Sequence, residues 1–229
     1  MKRGLFLLLC LALAAVFAGL GAWQLQRLDW KRDLIARVNA RMAAAPKPPP
    51  TPANWSSHDA YTRVIVHGAF RHGDETLVQA VTERGPGWWV MTPFRTDAGS
   101  IVLINRGFVP SELRRPGARV PGQLQGRVTV SGLLRASEPD GAFLRANAPE
   151  AGRWYSRDVV AIARARGLGP VAPYFIDAGG EPNPGGYPVG GLTVVAFRNS
   201  HLIYALTWFG LSVLSLAGAV VVFSRGGRD

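Results

Sequence analysis

Arg198-Asn199-Ser200-His201-Leu202-Ile203-Tyr204-Ala205-Leu206-Thr207-Trp208-Phe209-Gly210 carries a polar segment into an apolar one with no proline between them. At 3.6 residues per turn, His201, Tyr204, Ala205, Trp208 and Phe209 fall on one face of the helix this stretch predicts. An imidazole, a phenol and two large aromatic rings therefore share the level at which the apolar run begins. No charge interrupts the run from His201 to Arg225, about 23 residues, nor an equally long run between Arg3 and Arg27. At about 1.5 Å per residue each reaches roughly 34 Å, enough to cross a hydrocarbon core of about 30 Å. Two such spans put both ends of the chain on one side of a membrane and the intervening residues on the other. The pattern predicts spans over 4–26 and 202–224, a helical extension and Pro-rich linker over 27–60, and a β-rich domain over 61–198.

The 229 residues carry a formal charge of +11. That excess does not read as a nucleic-acid footprint, because the Arg residues are scattered and no Lys/Arg run interleaves with aromatics. Several flank the predicted spans, where the anionic headgroups of a lipid bilayer attract them. Cys10 is the single cysteine and lies within the first apolar run, which excludes an internal disulfide, a zinc knuckle and Cys-x-x-Cys chemistry. Leu9 stands where a lipoprotein cleavage site takes a small residue. Met1-Lys2-Arg3 leaves no room for an amphipathic import sequence, which points to a bacterial plasma membrane. Trp23 closes the run as an interface anchor and favours an uncleaved span over a signal peptide. Ala14, Ala18 and Ala22 recur every four residues, predicting a smooth stripe for the second helix, with Gly210 and Ala217 as its facing surface.

Beyond the first span, Trp23, Arg27, Trp30 and Leu34 recur three to four apart and form an aromatic, basic face. From the residues alone this is first an aromatic belt with cations at the headgroups, and second a docking surface for a partner or cofactor. The helix fades near Met42, and Pro46–Pro52 follows as a stiff polyproline spacer. From Tyr61 the period becomes two. Strands are expected over Thr62–Phe70, Glu75–Thr82, Trp88–Phe94, Ser100–Val109, Arg127–Ala136, Val171–Asp177 and Leu192–Arg198, with Gly85-Pro86-Gly87 as a break. Arg153-Trp154-Tyr155 reads as short and extended. Asp158 is a good N-cap for a helix over Val159–Arg166, closed by Gly167. The fold class expected is a membrane-anchored α+β protein, with two transmembrane helices flanking a mostly antiparallel barrel or sandwich with one short helix.

Motifs of catalysis are missing. No Gly-x-Ser-x-Gly elbow, phosphate-binding Gly-rich loop or His-Glu-x-x-His occurs. His67, His72, Asp74 and Glu75 cluster around one predicted hairpin, which reads as a strand His and a polar turn before it reads as a metal site. Arg106, in Asn105-Arg106-Gly107-Phe108, ends a strand as a candidate carboxylate or propionate contact, or as a structural cation. A neutral imidazole at His201 is chemically suited to ligate haem iron, with aromatic neighbours covering a porphyrin. From the residues alone an interfacial His reads first as simply hydrogen-bonded or snorkelling, and only second as a ligand.

Several segments together resemble the Surfeit locus protein 1 family of cytochrome c oxidase assembly factors. They are Leu20–Arg27 with Trp30-Lys31 and Leu34-Ile35; Arg63-Val64 with Gly68 and Phe70; and Val90–Phe94. Val102–Pro110, Trp154–Asp158, Phe175–Ala178, and Arg198–Tyr204 with Thr207–Gly210 follow in the family's order. The resemblance implies two spans around an extracytoplasmic, periplasmic domain in a bacterial inner membrane, with both termini cytoplasmic. It also implies a non-enzymatic role in supplying or stabilising haem a during maturation of the oxidase's catalytic subunit, with haem a synthase as a further partner. His201 matches the position regarded in bacterial members as a haem a ligand. On that basis His201 is the candidate metal ligand, and Tyr204, Trp208, Trp23, Arg27 and Arg106 are candidate cofactor contacts. A cofactor-free scaffold for an oxidase subunit is the alternative. A charge count alone would place the domain in the cytoplasm, because Arg27, Lys31, Arg32, Arg37 and Arg41 outnumber the basic residues of the tails; the intervening segment exceeds the range of that rule.

Overall fold

In a computed structural model, which describes residues 2–142, 145–195 and 197–226, the chain divides into two compact units. One comprises Met1–Arg37 with Val195–Asp229, the other Val38–Val194.

The first unit is built on two long helices, α1 over Lys2–Ala43 and a last helix over His201–Gly226. Within them, Arg3–Ala43 and His201–Ser224 are long and apolar enough to cross a membrane. Leu5, Phe6, Leu8, Leu9, Val213 and Leu214 all face outward. A water-soluble unit would bury such side chains, whereas an apolar solvent rewards their exposure.

The second unit is a β structure. β1 (Arg63–Phe70), β2 (Thr76–Thr82), β3 (Gly85–Thr96), β4 (Ile101–Val109), β5 (Val128–Ala136) and β6 (Val171–Ala178) form one sheet in the order β1-β5-β6-β4-β3-β2. An added β1–β3 pairing closes five of them into a barrel and leaves β2 attached outside to β3. Closure turns on Gly68, which pairs with Val128 of β5 and with Thr96 of β3. A Cβ there would collide with the Arg95 carbonyl, so only glycine lets the two backbones come this close. All pairings are antiparallel except β4 with β6.

Period-two alternation sorts the side chains into two clusters. Val64, Val66, Phe94, Val102, Ile104, Val130, Leu134 and Ile176 fill the barrel. On the opposite face, Met91, Leu103 and Phe175 pack under a short helix, α2 (Val159–Ala165), with Trp154, Val159 and Ile162. Asp158 caps α2 by accepting from the Ala161 N–H at 3.1 Å, as the sequence predicts. The His201–Gly226 helix is α3.

Four expectations need correction. Gly85-Pro86-Gly87 does not break the chain but belongs to β3, paired with Thr82–Ala80. Leu192–Arg198 is not a strand in its described residues, Ala196 lying outside them. β4 and β6 are already paired on both sides within the closed barrel, so no ladder remains for it there; upstream, Val189 makes an isolated bridge to Phe108. Pro46–Pro52 is no free spacer. The Lys47 N–H donates to Arg63 O at 3.2 Å, Lys47 O accepts from Ile65 at 3.1 Å, and the Tyr174 hydroxyl donates to Pro50 O at 2.6 Å. Gly210 and Ala217 point outward and Ala22 is exposed, so of the small-residue stripe only Ala14 is buried at the contact between α1 and α3, and the expected facing surface takes no part.

Candidate functional site

The contact between α1 and α3 follows a three-four spacing. On α1 it runs through Cys10, Ala14, Phe17, Gly21, Gln24 and Leu28; on α3 through His201, Ala205, Trp208, Ser212 and Ala219. This spacing keeps one seam facing one partner helix. Phe17 and Trp208 stack with centroids 5.6 Å apart and planes 26° apart. The Phe209 ring fills the notch left by Gly21, where a Cβ would lie 2.6 Å from it. Ser212 donates its hydroxyl to the Ala14 carbonyl at 2.8 Å.

At the start of α3, His201 Nδ1 meets Gln24 Oε1 at 2.7 Å. An amide oxygen only accepts, so the ring nitrogen facing it carries the proton. Nε2 is then left with its lone pair, and it makes no hydrogen bond among the described residues. A fixed tautomer with a free Nε2 is the form in which imidazole ligates a metal. Tyr204 and Trp23 lie half exposed, at 55% and 50%. Arg27 lies over the Trp30 ring with Cζ 4.5 Å from its centroid, and Lys31 Nζ is 5.4 Å from the Phe197 ring. The structure thus unites His201 with Trp208 on the seam. Tyr204, Trp23, Arg27 and Trp30 stand on exposed surface instead. Because side chains fill the seam beside Gly21, no slot for a flat ligand opens there between the helices.

Sequence reasoning passed over Gln24 and Phe17. Gln24 had a signal: it is an uncharged polar residue three positions from Gly21 and four from Leu28, on the buried seam.

Arg106 belongs to the β unit. Only 2% exposed, its guanidinium lies 4.7 Å from the Phe70 ring. Nη2 donates to Gly122 O and, at 3.4 Å, to Asn183 Oδ1, while Nη1 is buried without a partner. Burial lowers its pKa to about 10, still far above neutrality. Nearby, Arg119 and Glu75 form a bidentate pair, with Nη1 3.0 Å from Oε2. His72 donates through Nε2 to Leu124 O at 2.8 Å, and burial pushes its pKa below the ordinary 6.5. His67 meets Thr129 Oγ1 at 2.8 Å and Asp74 pairs with Arg71. The hairpin histidines and acids are thus each occupied separately, and no group of three potential ligands occurs among the described residues.

A second polar cluster centres on Asp177, 2% exposed. It accepts from Asn105 Nδ2 and Arg135 Nη1, each at 2.7 Å, from Thr193 at 2.9 Å and from Arg157 Nη1 at 3.0 Å. Arg157 also pairs with Glu138 and lies 4.7 Å from the Phe175 ring.

The sequence profile of the SURF1 family matches residues 11–213, taking in most of α1, the first half of α3 and the whole barrel. This chain belongs to the SURF1 family. It is 40% identical to the human Surfeit locus protein 1, the match covering 85% of this chain and 69% of the human one. It is 39% identical to a SURF1-like protein of Monosiga brevicollis, covering 95% and 87% of the two chains. The mouse Surfeit locus protein 1 shares 40% identity across 88% of this chain. The family match spans His201, Gln24, Arg106 and Asp177 alike.

Proposed function

We propose that this SURF1-family chain is a non-enzymatic assembly factor of cytochrome c oxidase that holds haem a transiently, with His201 Nε2 as the iron ligand. The observation that carries the haem reading is the Gln24–His201 bond, which engages Nδ1 and leaves Nε2 as a free donor. Haem a supplies the redox and oxygen chemistry of the oxidase once it is installed there. In this chain Gln24 orients the imidazole, Trp208 backs it from the seam, and exposed Tyr204 and Trp23 offer aromatic surface to the macrocycle. Arg27 supplies a cation for an acidic substituent. With the seam packed, a macrocycle held by these residues would lie against their exposed aromatic faces.

The outward-facing apolar side chains of α1 and α3 support membrane anchoring. The accompanying reading is a bacterial inner membrane, with both termini cytoplasmic and the barrel periplasmic. Its partners are the catalytic subunit of the oxidase and haem a synthase. The test is the absorption spectrum and haem content of the full chain purified from cells that make haem a. Wild type is expected to show a Soret band and bound haem a, with His201→Ala losing both. Equal haem content in the two proteins would remove His201 as ligand. The closed seam favours one second reading, a scaffold for an oxidase subunit that never carries haem; oxidase rescue by haem-free protein would establish it.

A further inference from the structure

Arg106 is a buried cation with an incomplete set of partners. Nη2 has two acceptors, both uncharged, and Nη1 has none. Glu75, the carboxylate that acts on its charge, has both oxygens taken by Arg119. With His72 held neutral, the group of Arg106, Arg119 and Glu75 keeps one uncompensated positive charge. A buried guanidinium is costly unless it is paired, and its planar fork matches a carboxylate.

Arg106 also lines a cavity of about 90 Å³, together with Phe70, Thr129, Ser131, Gly179 and Asn183. A water takes up about 30 Å³ of liquid, so this volume suits a group of a few heavy atoms and not a macrocycle. Glu181 stands at the same cavity with its side chain exposed and no hydrogen bond among the described residues. Every lining residue belongs to the β unit, so the cavity is independent of the helices that carry His201.

We infer that this cavity is a carboxylate-binding site, in which the guanidinium of Arg106, in the cavity wall, attracts one carboxylate group, supplied by a small free acid or by an acidic side chain of a partner protein. Asn183 provides further polar surface around it. Glu181, as a like charge at the cavity, weakens binding.

The test is calorimetric and thermal titration of the full chain in detergent with sodium acetate, against sodium chloride at equal ionic strength. Acetate is expected to bind saturably and raise the melting temperature, with affinity at least tenfold weaker in Arg106→Gln. Glu181→Gln, an exposed substitution that keeps the fold, is expected to bind acetate severalfold more tightly. Binding by N-acetyl-aspartyl amide as well as acetate would assign the site to an acidic side chain of a partner; binding of acetate alone would assign it to a free acid. Three results overturn the inference: no difference between acetate and chloride in wild type and Glu181→Gln, unchanged acetate binding in Arg106→Gln, or binding in Glu181→Gln with none in wild type. The last would make Glu181 the cavity's own occupant. Should Arg106→Gln fail to fold, the wild-type and Glu181→Gln titrations decide alone.

Discussion

Gln24 of α1 accepts from His201 Nδ1 at 2.7 Å, so a residue of one long helix orients the imidazole at the start of the other. An imidazole oriented in this way depends on its partner for ligand strength. Residues placed like this typically contribute 10- to 100-fold in affinity for a bound metal. Gln24→Ala should therefore lower haem retention about 10-fold or more while leaving protein levels unchanged, read as haem per protein after gel filtration. Gln24→Glu should retain haem and shift its reduction potential downward, since a carboxylate partner raises imidazole basicity.

Gly21 and Phe209 lock the same seam. Gly21→Val is expected to destabilise the helix pair by about 1–3 kcal/mol through overpacking. Gly21→Val combined with Phe209→Ala should recover most of that loss, a coupling that a double-mutant cycle of denaturation in detergent measures.

Asp177 is the counter-ion of two arginines in the β unit. Asp177→Asn leaves Arg135 with no carboxylate but the partly exposed Glu138, at 3.5 Å. A loss of about 3–5 kcal/mol is expected, the range for removing one partner from a buried ion pair. Thr193→Val removes a single hydroxyl donor and should cost about 1 kcal/mol. Urea denaturation followed by tryptophan fluorescence distinguishes the two, because Trp89 and Trp154 lie in or against the adjoining core.

His72 makes stability depend on pH. Its folded pKa lies below the ordinary 6.5 because burial disfavours the cation. The unfolded chain then binds the proton more readily. Stability is full above 6.5 and falls as the pH drops from 6.5 through the folded value. His72→Gln keeps a donor for Leu124 O and removes the titration, so the wild-type-minus-variant difference in melting temperature should stay level above pH 6.5 and move steadily against the wild type as the pH falls below it.

Much of the fold is legible in the chain because its signals are local. Val64, Val66 and Phe70 alternate, Asp158 caps its helix, and two uninterrupted apolar runs become α1 and α3. What escaped is set by contacts distant in sequence. Nothing in Gly68 itself reveals that β1 leaves β5 for β3 there, and that closure leaves Leu192–Arg198 no free edge on β4 or β6. The helix seam was misplaced for a related reason. Small residues at Ala18 and Ala22 satisfy a smooth-stripe pattern, but Phe209 needs its notch at Gly21, which rotates α1 to present Gln24. His201 was visible as a residue type at a boundary; the atom that fixes its tautomer lies 177 positions away. Arg106 was visible as a cation in a motif, whereas its missing partner shows only once the loop carbonyl of Gly122 is placed beside it.

The proline-rich segment held by Lys47 and Pro50 gives the barrel a mechanical property. Lys47 bridges to Val64 in parallel, so tension entering the chain from its N-terminal side meets the β1 contacts in shear instead of peeling them one at a time. The Tyr174 hydroxyl on Pro50 carries part of that load into β6, on the far side of β5. Seven residues that resemble slack tether are therefore a girth strap, and a pull on them is borne by three strands together.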